Sequence, residues 1–115
     1  MKTEIEGMVT VEAARAAVVN ARGAYDDARE RGGYPAREAA AMNKAEAAYA
    51  EAKKQFPRAA AWMKADSYEM ARHDEKSSAG RRAKARIENG EDAATVLAEM
   101  ETEWSTAAAR CVANS

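Results

Sequence analysis

The sequence is poor in the residues that form large or covalently fixed cores. Its one cysteine, Cys111, excludes an internal disulfide and a metal site made of several cysteines. Isoleucine occurs twice and phenylalanine once, so residues that favour strands are too scarce for a sheet. No apolar run approaches the roughly 18 residues of a membrane-spanning helix, and residues 1–10 lack the apolar stretch of a signal peptide. We therefore expect a soluble, cytoplasmic protein without membrane contact.

An excess of charge of either sign is also missing. The chain has 18 basic and 19 acidic residues, so its net charge does not select nucleic acid or an anionic membrane as a partner. Alanine accounts for 31 of the 115 residues, and there are only two prolines and six glycines. Such a composition favours helix nearly throughout. It predicts an all-α protein whose thin core is formed by closely approaching backbones.

Two helices are predicted in the first half, over about residues 11–31 and 35–56. Thr10 is the expected N-cap of the first helix, and Gly32-Gly33 is its expected stop. Pro35 suits the first turn of the second helix. Both helices carry apolar residues at heptad spacing with alanine between them. If the chain folds back at Gly32-Gly33, large residues meet in three layers, which pair Tyr25 with Met42, Val18 with Tyr49, and Val11 with Phe56.

The second half predicts a long third helix over about residues 57–89 and a fourth over about 92–112. Low helix propensity at Ser77-Ser78-Ala79-Gly80 marks a potential break at residues 77–80. Asn89-Gly90 is the expected C-terminal stop of the third helix. The predicted fold is therefore a four-helix, alanine-rich, elongated protein made of two packed antiparallel αα-hairpins, with residues 1–115 forming a single domain.

The first half of the third predicted helix is apolar on two sides. Trp62 lies on one side, whereas Met63 and Met70, one heptad apart, lie on the other. Either this helix is central, with a helix packed on each side, or its methionine side meets another molecule, for which flexible methionine is well suited. The candidate partner-binding residues are Trp62, Met63, Asp66 and Met70.

The second half of that helix carries a basic cluster, which we define as Arg81, Arg82, Lys84 and Arg86. Such side chains bind phosphates, so the cluster is the candidate nucleic-acid site. Residues 57–89, however, hold eight basic and five acidic groups, whereas residues 90–115 hold one basic and five acidic groups. Since these segments are predicted to lie side by side, Glu99 and Glu103 are expected to neutralise the cluster. Nucleic acid is therefore the less favoured partner.

No pattern of catalytic or cofactor-binding residues is present. His73 is the only histidine, and neither it nor Ser77 lies in a nucleophile motif. Cys111 continues the apolar stripe of the last helix and is expected to be buried. We therefore expect no enzyme, no cofactor and no metal site.

These observations predict a non-enzymatic protein–protein interaction module. Small inhibitors and adaptors of phages and mobile elements, which bind larger protein complexes, are of this type. The alternative is a nucleic-acid-binding accessory protein that uses the basic cluster. A protein partner is expected in the first case, and a homodimer stays open.

Overall fold

A computed structural model describes residues 5–114, and over this range the protein is all-α, as predicted, without a strand. The helices are α1 (Met8–Glu30), α2 (Ala36–Gln55), α3 (Pro57–Glu69), α4 (Asp74–Glu88) and α5 (Ala93–Ala113). Their Cα positions group into two compact units. The two-helix unit, residues 7–56, holds α1 and α2. The three-helix unit holds α3, α4 and α5 together with Ile5 and Glu6. That the chain forms a single domain stays a prediction.

In the two-helix unit α1 packs against α2. The helix α1 begins at Met8, because Gly7 adopts a left-handed conformation with φ of 80° and its carbonyl accepts from the Val11 amide at 2.9 Å. Thr10, the predicted N-cap, therefore lies inside the helix. The chain turns at Gly32 and Gly33, which have φ values of 95° and 80° that favour glycine.

The two-helix unit buries few side chains. Met8, Val11, Val18 and Ala28 of α1 are buried, whereas Tyr25 is half-buried. In α2 only Ala52 is buried. Two alanine-rich helices thus form a thin interface between them, and much of each helix stays exposed.

The predicted third helix is two helices, α3 and α4, because the chain leaves helical geometry between Glu69 and Asp74. The predicted break at residues 77–80 is wrong, since α4 runs through it without interruption. His73 begins α4 as its N-cap, with Nδ1 accepting from the Glu75 amide at 3.2 Å. Asp74 and Glu75 then place negative charge in the first turn, where the helix dipole favours it.

Residues that suggested a break instead join α4 to α3. The Ser77 hydroxyl donates to the Glu69 carbonyl at 2.8 Å. Gly80 lies so close to α3 that a Cβ there would be 2.4 Å from the Ala65 carbonyl oxygen and 2.4 Å from the Glu69 nitrogen. The absence of a side chain at position 80 therefore permits the close approach of the two helices.

Both α3 and α4 pack on α5, so the second half contains three mutually packed helices where two were predicted. Asp92 caps α5, since its carboxylate accepts from the Thr95 amide at 3.0 Å and from the Thr95 hydroxyl at 2.8 Å. The core of this unit is again mainly alanine, and its buried residues are Ile5, Ala59, Ala61, Trp62, Ala65, Ala79, Gly80, Ala83, Ile87, Val96, Met100 and Ala107.

Candidate partner-binding groove

Two of the four predicted partner-binding residues are engaged inside the three-helix unit. The Trp62 side chain is only 6% exposed, and its indole nitrogen donates to Glu88 Oε2 at 2.8 Å. Asp66 accepts from Lys84 Nζ at 2.8 Å. These side chains hold α3 to α4, and a partner would have to displace those contacts to reach them.

The two methionines differ in exposure. Met63 is half-buried within α3. Met70 follows the end of α3 and is 76% exposed. Its amide still donates to the Asp66 carbonyl at 3.0 Å, so Met70 lies against the last turn of that helix. That Trp62, Met63, Asp66 and Met70 act together in partner binding stays a prediction.

Every member of the basic cluster has a carboxylate partner. Arg82 pairs with Glu103, and the Arg86 guanidinium lies 2.6 Å from Glu99. The predicted neutralisation by Glu99 and Glu103 is confirmed. The structure adds carboxylates that were not predicted: Arg81 pairs with Glu69, Lys84 with Asp66 and Glu69, and Arg86 with Glu91.

Lys84 is the most enclosed member of the basic cluster. Its side chain is 18% exposed, its ammonium lies 2.6 Å from Glu69, and it also sits 4.5 Å from the centre of the Trp62 ring. Partial burial opposes a charged ammonium, but the hydrogen bonds that Lys84 donates to Asp66 and Glu69 outweigh it and raise the pKa of Lys84. The hydrogen bond from Lys84 in turn lowers the pKa of Glu69. The group is thus held charged as part of the α3–α4 interface.

His73 and Cys111 lie near each other, with 3.8 Å between His73 Nε2 and Cys111 Sγ. The His73 ring also contacts Trp104 edge-on, with 4.7 Å between ring centroids. Cys111 is exposed, so the prediction that it is buried is wrong: the last turn of α5 is uncovered around it. Within residues 5–114 no three His, Cys, Asp or Glu side chains are grouped to hold a metal ion.

A groove runs between α1 and α2 on the surface of the two-helix unit. Its lining residues take the same spacing on each helix, namely positions i, i+3, i+4 and i+7 of one face. They are Arg15, Val18, Val19 and Arg22 from α1 and Glu46, Tyr49, Ala50 and Lys53 from α2. The groove has a volume of about 340 Å³. It therefore follows two turns of both helices, about 10 Å along their axes.

The groove has an apolar floor and charged rims. Val18 is buried, whereas Val19 is 59% exposed. Arg22 of α1 donates from Nε and Nη2 to Glu46 Oε1 of α2, each at 3.2 Å, so this ion pair joins the two sides of the groove. Lys53 Nζ lies 4.4 Å from the centre of the Tyr49 ring. The arrangement combines an open apolar strip with fixed charge at its sides.

The sequence pattern did not predict this groove, because it placed Val18 and Tyr49 in the core alone. The relevant pattern is the pair of charged residues at heptad spacing on each helix, Arg15 with Arg22 and Glu46 with Lys53. Each pair brackets apolar residues on the same face. Charged residues on either side of apolar ones are expected at the edges of a groove, and the sequence shows this pattern once the heptad register of each helix is assigned.

No family model, no curated protein and no solved structure matches this chain. None of the helices within residues 5–114 is both long enough and apolar enough to cross a membrane. No relative supplies a role for any residue, so a proposal about function rests on the geometry of the groove.

Proposed function

We propose that this protein is a non-enzymatic protein–protein interaction module, an adaptor or inhibitor that binds a larger protein through the groove between α1 and α2. The observation that carries the proposal is that one face of each helix brings apolar residues, set between charged ones, to the same groove. Since this face extends over two turns of both helices, an amphipathic helix can lay its apolar side along it. The occupant is therefore a helix of the partner protein.

The proposal includes the antiparallel hairpin that such a groove requires. Gly7, just before α1, lies beside the ring of Phe56, just after α2, so that a Cβ at Gly7 would meet that ring. The Arg22–Glu46 ion pair joins the middle of the two helices. Both contacts support α1 and α2 running in opposite directions side by side.

The other two function classes have less support. Arg81, Arg82, Lys84 and Arg86 are all ion-paired within the chain, so phosphate binding would have to replace existing partners. His73 and Ser77 make structural hydrogen bonds at the start of α4. Neither observation favours a nucleic-acid-binding protein or an enzyme over a protein-binding module.

The test compares two exposed valines of α1. Val19 lines the groove, whereas Val9 is 80% exposed and does not line it, so Val9→Asp is the matched control for Val19→Asp. Tagged wild type and both variants are used to capture proteins from a nuclease-treated lysate of the source organism, with mass spectrometry as the readout. Circular dichroism establishes that all three proteins are equally helical.

We expect wild type and Val9→Asp to retain one stoichiometric protein partner and Val19→Asp to lose it, because a carboxylate would be buried in the apolar floor. Two results contradict the proposal. One is equal capture by both variants, and the other is the absence of any stoichiometric protein partner for wild type.

A further inference from the structure

We infer that the groove between α1 and α2 takes an acidic amphipathic helix of the partner protein. The inference rests on the proposed function and adds the charge of the occupant. Three of the lining residues, Arg15, Arg22 and Lys53, are basic, and one, Glu46, is acidic. Arg22 and Glu46 pair with each other, so the remaining charged lining residues are Arg15 of α1 and Lys53 of α2, and the charge that they offer to an occupant is positive.

The three-helix unit contains the same kind of arrangement with its occupant in place. There α5 lies on α3 and α4, and its buried residues Val96, Met100 and Ala107 form the apolar side of the helix. Carboxylates of α5 flank that side and pair with cations of the helices beneath. The pairs are Glu99 with Arg86, Glu101 with Lys64, and Glu103 with Arg82.

This chain therefore covers one pair of helices bearing basic side chains with an acidic amphipathic helix. The α1–α2 pair presents basic rims around an apolar strip that includes exposed Val19. A partner helix with carboxylates on both sides of an apolar stripe would repeat on α1–α2 the charge pattern that α5 makes on α3–α4.

A second copy of this chain is a poorer occupant. In a symmetric dimer through this face, the same surface is used twice, so the basic rim of one copy would lie against the basic rim of the other. Like charges so placed repel. The acidic helix α5 of another copy is also unsuitable, because its Glu99, Glu101 and Glu103 are already paired.

A nucleic acid fits the groove less well than a helix does. Single strands need basic side chains along the backbone path together with aromatic platforms for several bases. Here Tyr49 is the single aromatic residue among those that line the groove, and Lys53 lies over its ring. An apolar strip with basic sides matches an amphipathic helix more closely.

The experiment uses the full-length protein and two synthetic helical peptides of three heptads. Both have leucine at the a and d positions; the acidic peptide has glutamate at e and g, and the basic peptide has lysine there. Isothermal titration calorimetry measures binding to each peptide at low and at high salt. We expect the acidic peptide to bind at least about tenfold more tightly than the basic one, with an affinity that falls as salt is added.

A charge-reversal variant tests whether the rims cause this preference. Arg15→Glu with Lys53→Glu changes both rims and should reverse the order of the two peptides. The matched control, Arg37→Glu with Lys44→Glu, makes the same change of charge at exposed positions that do not line the groove. It should keep the wild-type order.

Four results overturn the inference: equal binding of both peptides, tighter binding of the basic peptide, no binding of the acidic peptide, or an unchanged order in the groove variant. A labelled oligonucleotide that binds wild type but not Val19→Asp would show that nucleic acid occupies the groove instead. A wild-type dimer that Val19→Asp abolishes would show that a second copy of this chain occupies it. Failure of the proposed function is distinguished from failure of this inference by the capture experiment, in which Val19→Asp would then retain the cellular partner.

Discussion

The two units of this chain use one alanine-rich composition but differ in what lies over their charged side chains. In the three-helix unit, α5 places Glu99 and Glu103 on the basic cluster of α4. In the two-helix unit, Arg15 and Lys53 line an open groove. Between α1 and α2 an apolar groove with charged sides stays open, whereas α5 covers the corresponding side of α3 and α4. We propose this open groove as the surface through which the protein binds its partner.

The units also differ in the surroundings of the one glycine that lies inside a helix of each. Gly80 in α4 has backbone atoms of α3 within 2.4 Å of where its Cβ would be. Gly23 in α1 has nothing within 4 Å of that position. The α3–α4 contact depends on a missing side chain, whereas Gly23 lies in open space.

The largest effect is expected from adding a side chain at position 80. Gly80→Ala should destabilise the protein by about 3 kcal/mol, because the new methyl group forces α3 and α4 apart. Gly23→Ala should stabilise it by about 0.5–1 kcal/mol, since alanine favours helix and meets no obstacle. Urea denaturation followed by circular dichroism measures both changes. If the two substitutions shift the midpoint in the same direction, the close approach at Gly80 is wrong.

A smaller effect is expected from removing the enclosed ammonium of the three-helix unit. Lys84→Met keeps the aliphatic stem but leaves Asp66 without its hydrogen bond from Nζ, which should cost about 1–2 kcal/mol. The counterpart in the two-helix unit is Arg22→Met, which breaks an ion pair whose side chains are 62% and 42% exposed. It should cost no more than about 0.5 kcal/mol. Equal losses of stability in the two variants would show that the two units do not differ in this respect.

The smallest effect depends on pH. The pKa of Glu69 is lowered from its ordinary value of 4.5, chiefly by the hydrogen bond from Lys84. A carboxyl group with a lowered pKa stabilises the folded state above its ordinary pKa, and that contribution is lost as pH falls through the folded-state value. Glu69→Gln should therefore reduce stability at neutral pH, with the difference from wild type shrinking below about pH 4.5. Urea midpoints from pH 7 to pH 3 measure this; a constant difference would contradict it.

Sequence patterns located the helices whose ends carry strong local signals. Gly32-Gly33 and Pro35 mark the end of α1 and the start of α2, and both are placed within a few residues. The interruption between α3 and α4 was misplaced, because it contains neither glycine nor proline. Its signal was His73 followed by two acidic residues, a cap with a favourable first turn. Ser77 and Gly80 appeared to be breakers because their contact with α3 is a tertiary property.

The candidate site was predictable only in part, for a related reason. Opposite net charges of residues 57–89 and 90–115 were sufficient to expect ion pairs at the basic cluster. The groove could not be found by charge alone, because Arg15 and Lys53 belong to different helices with no net excess in their segment. Its apolar strip also shares Val18 and Tyr49 with the predicted core. Which side of those residues stays open depends on how the two helices pack.

The distribution of aromatic side chains gives the molecule separate optical probes for its two units. Both tryptophans, Trp62 and Trp104, lie in the three-helix unit, whereas three of the four tyrosines lie in residues 7–56. Indole emission of the unmodified protein therefore reports on the three-helix unit, whereas ellipticity sums the helices of both. Unfolding curves that coincide for the two signals would mean that the units melt together. Curves that separate would give each unit its own stability without a label or a truncation.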